Sequence, residues 1–110
     1  MIKFAVMTFM YNRWINDEGG SHEELIKIMA ESGADGMEAF CNHFFENDDL
    51  IKLYRRELDA NRITMPVMDL ITNLACADKN ERTQVYDTMR RGIDVCDALN
   101  SEIVHVAGCK

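Results

Sequence analysis

Apolar residues in this chain gather in four short runs. Between the runs lie longer stretches where they recur every three or four positions. Ile2 to Phe9 is almost unbroken apolar sequence with one lysine, short enough for a strand buried on both faces. Met10 to Gly20 reads as a loop. Ser21, with Glu24 three residues on, has capping-box spacing and opens a helix with Leu25, Ile28, Met29 and Ser32 on one face, stopped at Gly33. Ala34 to Phe40 reads as a second strand, and Cys41 to Asn47 as its loop. Asp48 is expected to cap a second helix with Leu50, Ile51, Tyr54 and Leu58 inward, ending at Asn61. Ile63 to Asp69 is the third strand, with an irregularity expected at Pro66, which cannot donate to a ladder. After a loop from Leu70 to about Asp78, Val85, Met89, Ile93, Cys96 and Leu99 step by three and four along a third helix. Asn100 takes its left-handed exit, and Glu102 to Gly108 is the last strand.

Strands alternating with helices imply a parallel sheet joined by right-handed crossovers, so the fold class is α/β, a single domain over residues 1–110. The strand-to-helix connections are much longer than the helix-to-strand ones. Parallel α/β folds place ligands on those connections, at the carboxyl ends of the strands.

Glu38 decides the architecture. An ionised group in a buried strand costs several kcal/mol, on the order of 3–5, unless it is paired or faces water. Alternation puts Glu38 on one face with Gly36 and Phe40, and His105 with Ile103. An open, doubly wound sheet would bury both polar groups under helices, whereas a barrel turns one face toward a wet lumen. A satisfied Glu–His pair within a core is the alternative reading.

Composition narrows the picture little. A net charge of −7 argues against a phosphate-backbone binder. No apolar run is long enough for a membrane helix, and the N-terminal residues lead into a strand pattern instead of a signal peptide. The four cysteines, Cys41, Cys76, Cys96 and Cys109, form no CxxC pair, which points to reduced thiols and a cytoplasmic setting. His22 is expected to face solvent, and His43 to lie on the surface within reach of a ligand. There is no Gly-rich phosphate loop, nucleophile elbow or Cys/His zinc spacing.

Three stretches carry a resemblance. Gly33-Ala-Asp-Gly-Met-Glu38-Ala-Phe resembles the second-strand signature of the xylose isomerase-like TIM-barrel superfamily, which includes sugar-phosphate isomerases and epimerases and the endonuclease IV-type (AP endonuclease family 2) enzymes. Arg90 through Gly108 is similar to its third helix and fourth strand, and Lys3 to Thr8 to its first strand. The resemblance implies that the chain is the N-terminal half, about strands 1–4, of a TIM-like barrel, since a whole barrel takes about 250 residues and eight strands. It implies a metal-dependent isomerase or epimerase of a sugar or sugar phosphate, with a divalent metal (Mn or Mg) whose ligands lie on strands outside this chain, so that the chain alone would be inactive.

The substrate-facing half is what carries over. Phe9 and Trp14 match aromatic walls of ketose epimerases, although Trp14 could also be a lid over the core. Glu38 matches a pocket-facing glutamate, Asp69 and Asn73 sit where strand three meets its loop, and His105 matches a position in hydroxypyruvate isomerase-like sequences. His105-Val-Ala-Gly108 departs from the His-Pro-Gly turn of the endonuclease branch, which with the acidic charge makes nucleic acid the weaker partner. The expected partner is a small carbohydrate, with a homo-oligomer or another barrel half completing the structure. A non-catalytic half-barrel that dimerises is the alternative, and a small flavodoxin-like domain with strand one central is a third reading.

Overall fold

The computed structural model describes residues 2–108, so Cys109 lies outside the described residues. Four strands, β1 (Ala5–Met7), β2 (Gly36–Phe40), β3 (Val67–Thr72) and β4 (Ile103–Gly108), form one parallel sheet in the order β1-β2-β3-β4. The helices are α1 (Asn12–Asp17), α2 (His22–Glu31), α3 (Asp48–Ala60) and α4 (Lys79–Ala98). β1 lies at an edge, and the buried side chains of α2, α3 and α4 share one core with those of a single sheet face. Both facts exclude the flavodoxin-like reading.

Each long helix begins as local chemistry dictates. Ser21 Oγ accepts from the Glu24 amide at 3.1 Å, and Asp78 Oδ2 accepts from the Glu81 amide at 3.1 Å. The middle helix corrects the expectation: Asn47, not Asp48, is the cap, its Oδ1 accepting from the Leu50 amide at 3.2 Å, while Asp48 and Asp49 fill the first turn. At the end of α4, Asn100 takes φ +58°, and Ser101 N–H closes back on the Cys96 carbonyl at 2.8 Å.

The core is the helix-facing side of the sheet. Met37, Ala39, Met68 and Leu70 from the strands meet Leu25, Ile26 and Met29 of α2, Tyr54 and Leu58 of α3, and Val95, Cys96 and Leu99 of α4. Ile28 and Ile93, expected inward, stand 39% and 56% exposed. The Cys41 and Cys96 sulfurs lie 3.8 Å apart in this core, and burial pushes the Cys41 thiol up to about 12.

The irregularity at Pro66 sets the orientation of everything beyond it. Gly36 bridges Thr64, but three residues later Ala39 pairs with Met68, so the β3 side has advanced four. One extra residue is accommodated around Pro66, a bulge in a parallel pair. Met65 and Met68, three apart, are both buried on the helix side at 1% and 0% exposure, which unbroken alternation forbids. Without the extra residue Asp69 would share the helix-facing side with Met65. Gly36 makes room for this bend, since a Cβ there would stand 2.9 Å from Pro66 Cδ and from the Thr64 carbonyl oxygen.

The stretch after β1 is more ordered than a loop. It holds a 3₁₀ turn over Phe9–Tyr11 and then α1, which carries Trp14 half-buried against the core. Gly20 lies under the indole, where an added Cβ would come 2.2 Å from Trp14 Cδ2. Gly20→Ala therefore displaces the ring. Because Trp14 is the only tryptophan, the expected result is a red-shifted intrinsic fluorescence and a loss of about 1–3 kcal/mol in denaturant unfolding.

Candidate functional site

The face turned away from the helices carries Met7, Glu38, Phe40, Asp69 and His105. Met7 stands level with Glu38, and Phe40 with Asp69, which in turn is level with His105. Alternation therefore places Glu38, Asp69 and His105 on one wall, each the third residue of its strand; β3 runs on to Thr72, which corrects the expectation that Asp69 lies where strand three meets its loop.

Asp69 is the buried member. Its side chain is 7% exposed, and Oδ1 lies 2.7 Å from His105 Nδ1, whereas the His105 side chain is 68% exposed. A carboxylate only accepts, so Nδ1 carries the hydrogen and the ring's Nε2 is left as an acceptor. Glu38 sits one inward-facing step below Phe40. Its carboxyl is raised above the ordinary glutamate range, first by burial and then by the Asp69 charge, partly offset by His105. Thr8 fixes the backbone there, with its N–H and hydroxyl both donating to the Glu38 carbonyl at 3.0 and 2.7 Å. Asn42 extends the sheet past β2: its Oδ1 accepts from Ile71 N–H at 2.9 Å and its Nδ2 donates to the Ile71 carbonyl at 3.1 Å.

The other expected residues fall into two groups. Phe9, 62% exposed, meets Phe40 edge to face at 5.8 Å, which joins it to the wall through a residue not among those expected at the site. Alternation put Phe40 beside Glu38, and that was the available signal. Trp14 instead packs on Tyr11 and the core. Asn73 Oδ1 accepts from the Ala75 amide at 3.2 Å, and the residue borders a separate cleft of about 290 Å³ with Thr72, Cys76 and Glu81.

The expectation for His22 is corrected. It is half-buried and shares a 2.7 Å hydrogen bond with the Tyr54 hydroxyl. Burial and then the nearby His43 lower its pKa. Both histidines line a cleft of about 230 Å³ with Asn12, Asn16 and Asn47.

No family model matches the chain, and no curated protein does. Solved structures do. The crystal structure of D-psicose 3-epimerase in the presence of D-fructose superposes with a TM-score of 0.77 at 19% identity, covering 96% of this chain and 37% of that one. The probable 3-DHS dehydratase AsbF involved in petrobactin synthesis from Bacillus anthracis does so with a TM-score of 0.71 at 10% identity, covering 96% and 38%. The fold is that of TIM-barrel β/α units. At these identities the likeness is one of fold alone, and this chain spans less than two-fifths of either of these two proteins. Four parallel strands in sequential order with their helices on one side are what such a barrel requires, and the opposite face is then its lumen.

Among the described residues no three His, Cys, Asp or Glu side chains assemble as metal ligands, and no helix is long and apolar enough to cross a membrane.

Proposed function

We propose that this chain supplies the substrate-side half of an isomerase or epimerase acting on a sugar, a sugar phosphate or a small hydroxy-ketone. The observation that carries the reading is the wall of Glu38, Asp69 and His105 on the face of adjacent barrel strands turned away from the helices. Hydroxyl-rich ligands take hydrogen bonds from such a mixed set of acceptors and donors, and Phe9 and Phe40 supply an apolar edge for carbon-bound faces. The likeness to a ketose epimerase supports this chemistry. The Mn²⁺ or Mg²⁺ implied by the xylose isomerase-like resemblance finds no ligand set among the described residues, so no step here runs through it.

Titration with D-fructose, followed by backbone amide shifts, tests the reading. The expected perturbations centre on Glu38, Asp69, His105 and Phe9, and Glu38→Gln weakens binding by about 10-fold or more. Perturbations confined to the helix side, or none, overturn it.

A second reading has its own support. Ile71 and Ile103 stand 52% and 57% exposed on the same face as Asp69 and His105, which fits a wall that further β/α units or a second copy would cover. If the role is a non-catalytic half-barrel, sedimentation of the 110-residue chain gives a dimer that Ile103→Lys dissociates. A monomer overturns it.

A further inference from the structure

We propose that Asp69 and His105 form a proton-transfer dyad, with His105 Nε2 the base toward a C–H beside a carbonyl and Asp69 the positioning residue. This rests on reading the wall as a carbohydrate surface, and it adds a catalytic assignment to residues so far given only a binding role.

The geometry is that of an oriented imidazole. β3 and β4 hold Asp69 and His105 level, and the 2.7 Å contact uses Nδ1, which aims the other ring nitrogen away from the buried carboxylate. Burial of the Asp69 side chain fixes the orienting partner, while the exposure of His105 leaves its far edge open to a ligand. The charged or titratable groups facing the ring are Asp69 from β3 and Glu38 from β2.

The step balances without a co-reactant. The C–H bond next to the carbonyl breaks and its proton passes to Nε2. The electron pair becomes the C=C bond of an enediol, the carbonyl π pair moves onto oxygen, and that oxygen takes the proton of the Glu38 carboxyl. Burial favours the protonated form of Glu38, which suits it to that role. The proton on Nε2 then passes to the former carbonyl carbon while the hydroxyl on the first carbon gives its proton to the Glu38 carboxylate, which isomerises the substrate and restores both groups. Nothing is oxidised or reduced overall.

Two measurements on the whole chain test this. In heavy water, dihydroxyacetone should exchange its carbon-bound hydrogens faster with the protein than without it, in contrast to the inactivity that the resemblance alone implies for this chain. His105→Gln, at an exposed position the fold does not depend on, should cut that acceleration by about 100-fold or more, and Asp69→Ala by about 10-fold. Heteronuclear NMR should show the His105 ring in the Nδ1–H tautomer, and Asp69→Ala should release it to a mixture, a change that a merely structural role would not produce. Exchange at the background rate, or exchange unaffected by His105→Gln, overturns the dyad. If D-fructose still perturbs the wall in that case, the binding reading stands and only the dyad fails. Exchange that depends on His105 without any perturbation of the wall by D-fructose overturns the binding reading instead.

Discussion

Met68→Ala should cost the fold about 2–5 kcal/mol, enough to unfold much of a domain of ordinary stability. Met68 is 0% exposed at the centre of the helix-facing side, between strands that pair with it on both sides. Truncation removes the transfer energy of the side chain and leaves a cavity that close-packed neighbours fill only in part. Urea unfolding followed by circular dichroism measures the loss. At a denaturant concentration low enough to keep the variant folded, its affinity for D-fructose should be unchanged, because the residue faces away from the wall.

One position along the chain the expectation reverses. Asp69→Ala should leave stability within about 1 kcal/mol. The lost partner, His105, is exposed and can bond to water, and the variant no longer keeps a carboxylate out of solvent. Its effect falls on the wall. A hydrogen bond to a charged group is worth about 1.5–3 kcal/mol, so binding of D-fructose by the proposed site should weaken by roughly 10- to 150-fold. Calorimetric titration beside the urea curve checks both halves. A large loss of stability with unchanged binding would mean that Asp69 belongs to the core.

Glu38 adds a pH signature. Its folded-state pKa is raised, so the folded protein binds this proton more readily than the unfolded chain. The charge then penalises the fold above the raised value, and the penalty vanishes below the ordinary glutamate range. Glu38→Gln should match the parent protein in acid and exceed it in stability at neutral pH, as thermal unfolding across that range would show.

Much of this was legible in the chain. Capping spacing placed α2, helical periodicity found Tyr54 and Leu58, and Asn100 was recognisable as a left-handed exit because its short polar side chain tolerates that conformation. Parity assigned Glu38 and His105 to one face. The pattern puts Asp69 at a strand end, whereas β3 continues to Thr72, and straight alternation from Met65 would put it on the helix side. Only the extra residue at Pro66 turns it to the wall, and a proline signals disruption without saying how many residues a bulge absorbs. Ile28 and Ile93 fit the helical periodicity yet stand exposed, because a helix exposes apolar residues at the margin of its stripe as readily as polar ones. His22 was placed in solvent because its partner, Tyr54, lies on another helix, beyond the reach of local pattern.

The central claim is that Glu38, Asp69 and His105 share one face of the sheet, opposite the helices. The carboxyl-carbon NMR titration of Glu38 in the parent protein, in Asp69→Asn and in His105→Gln tests it most directly. The account predicts a midpoint above the ordinary glutamate value that falls when the Asp69 charge is removed and rises when His105 is replaced. A midpoint that neither substitution moves would contradict it.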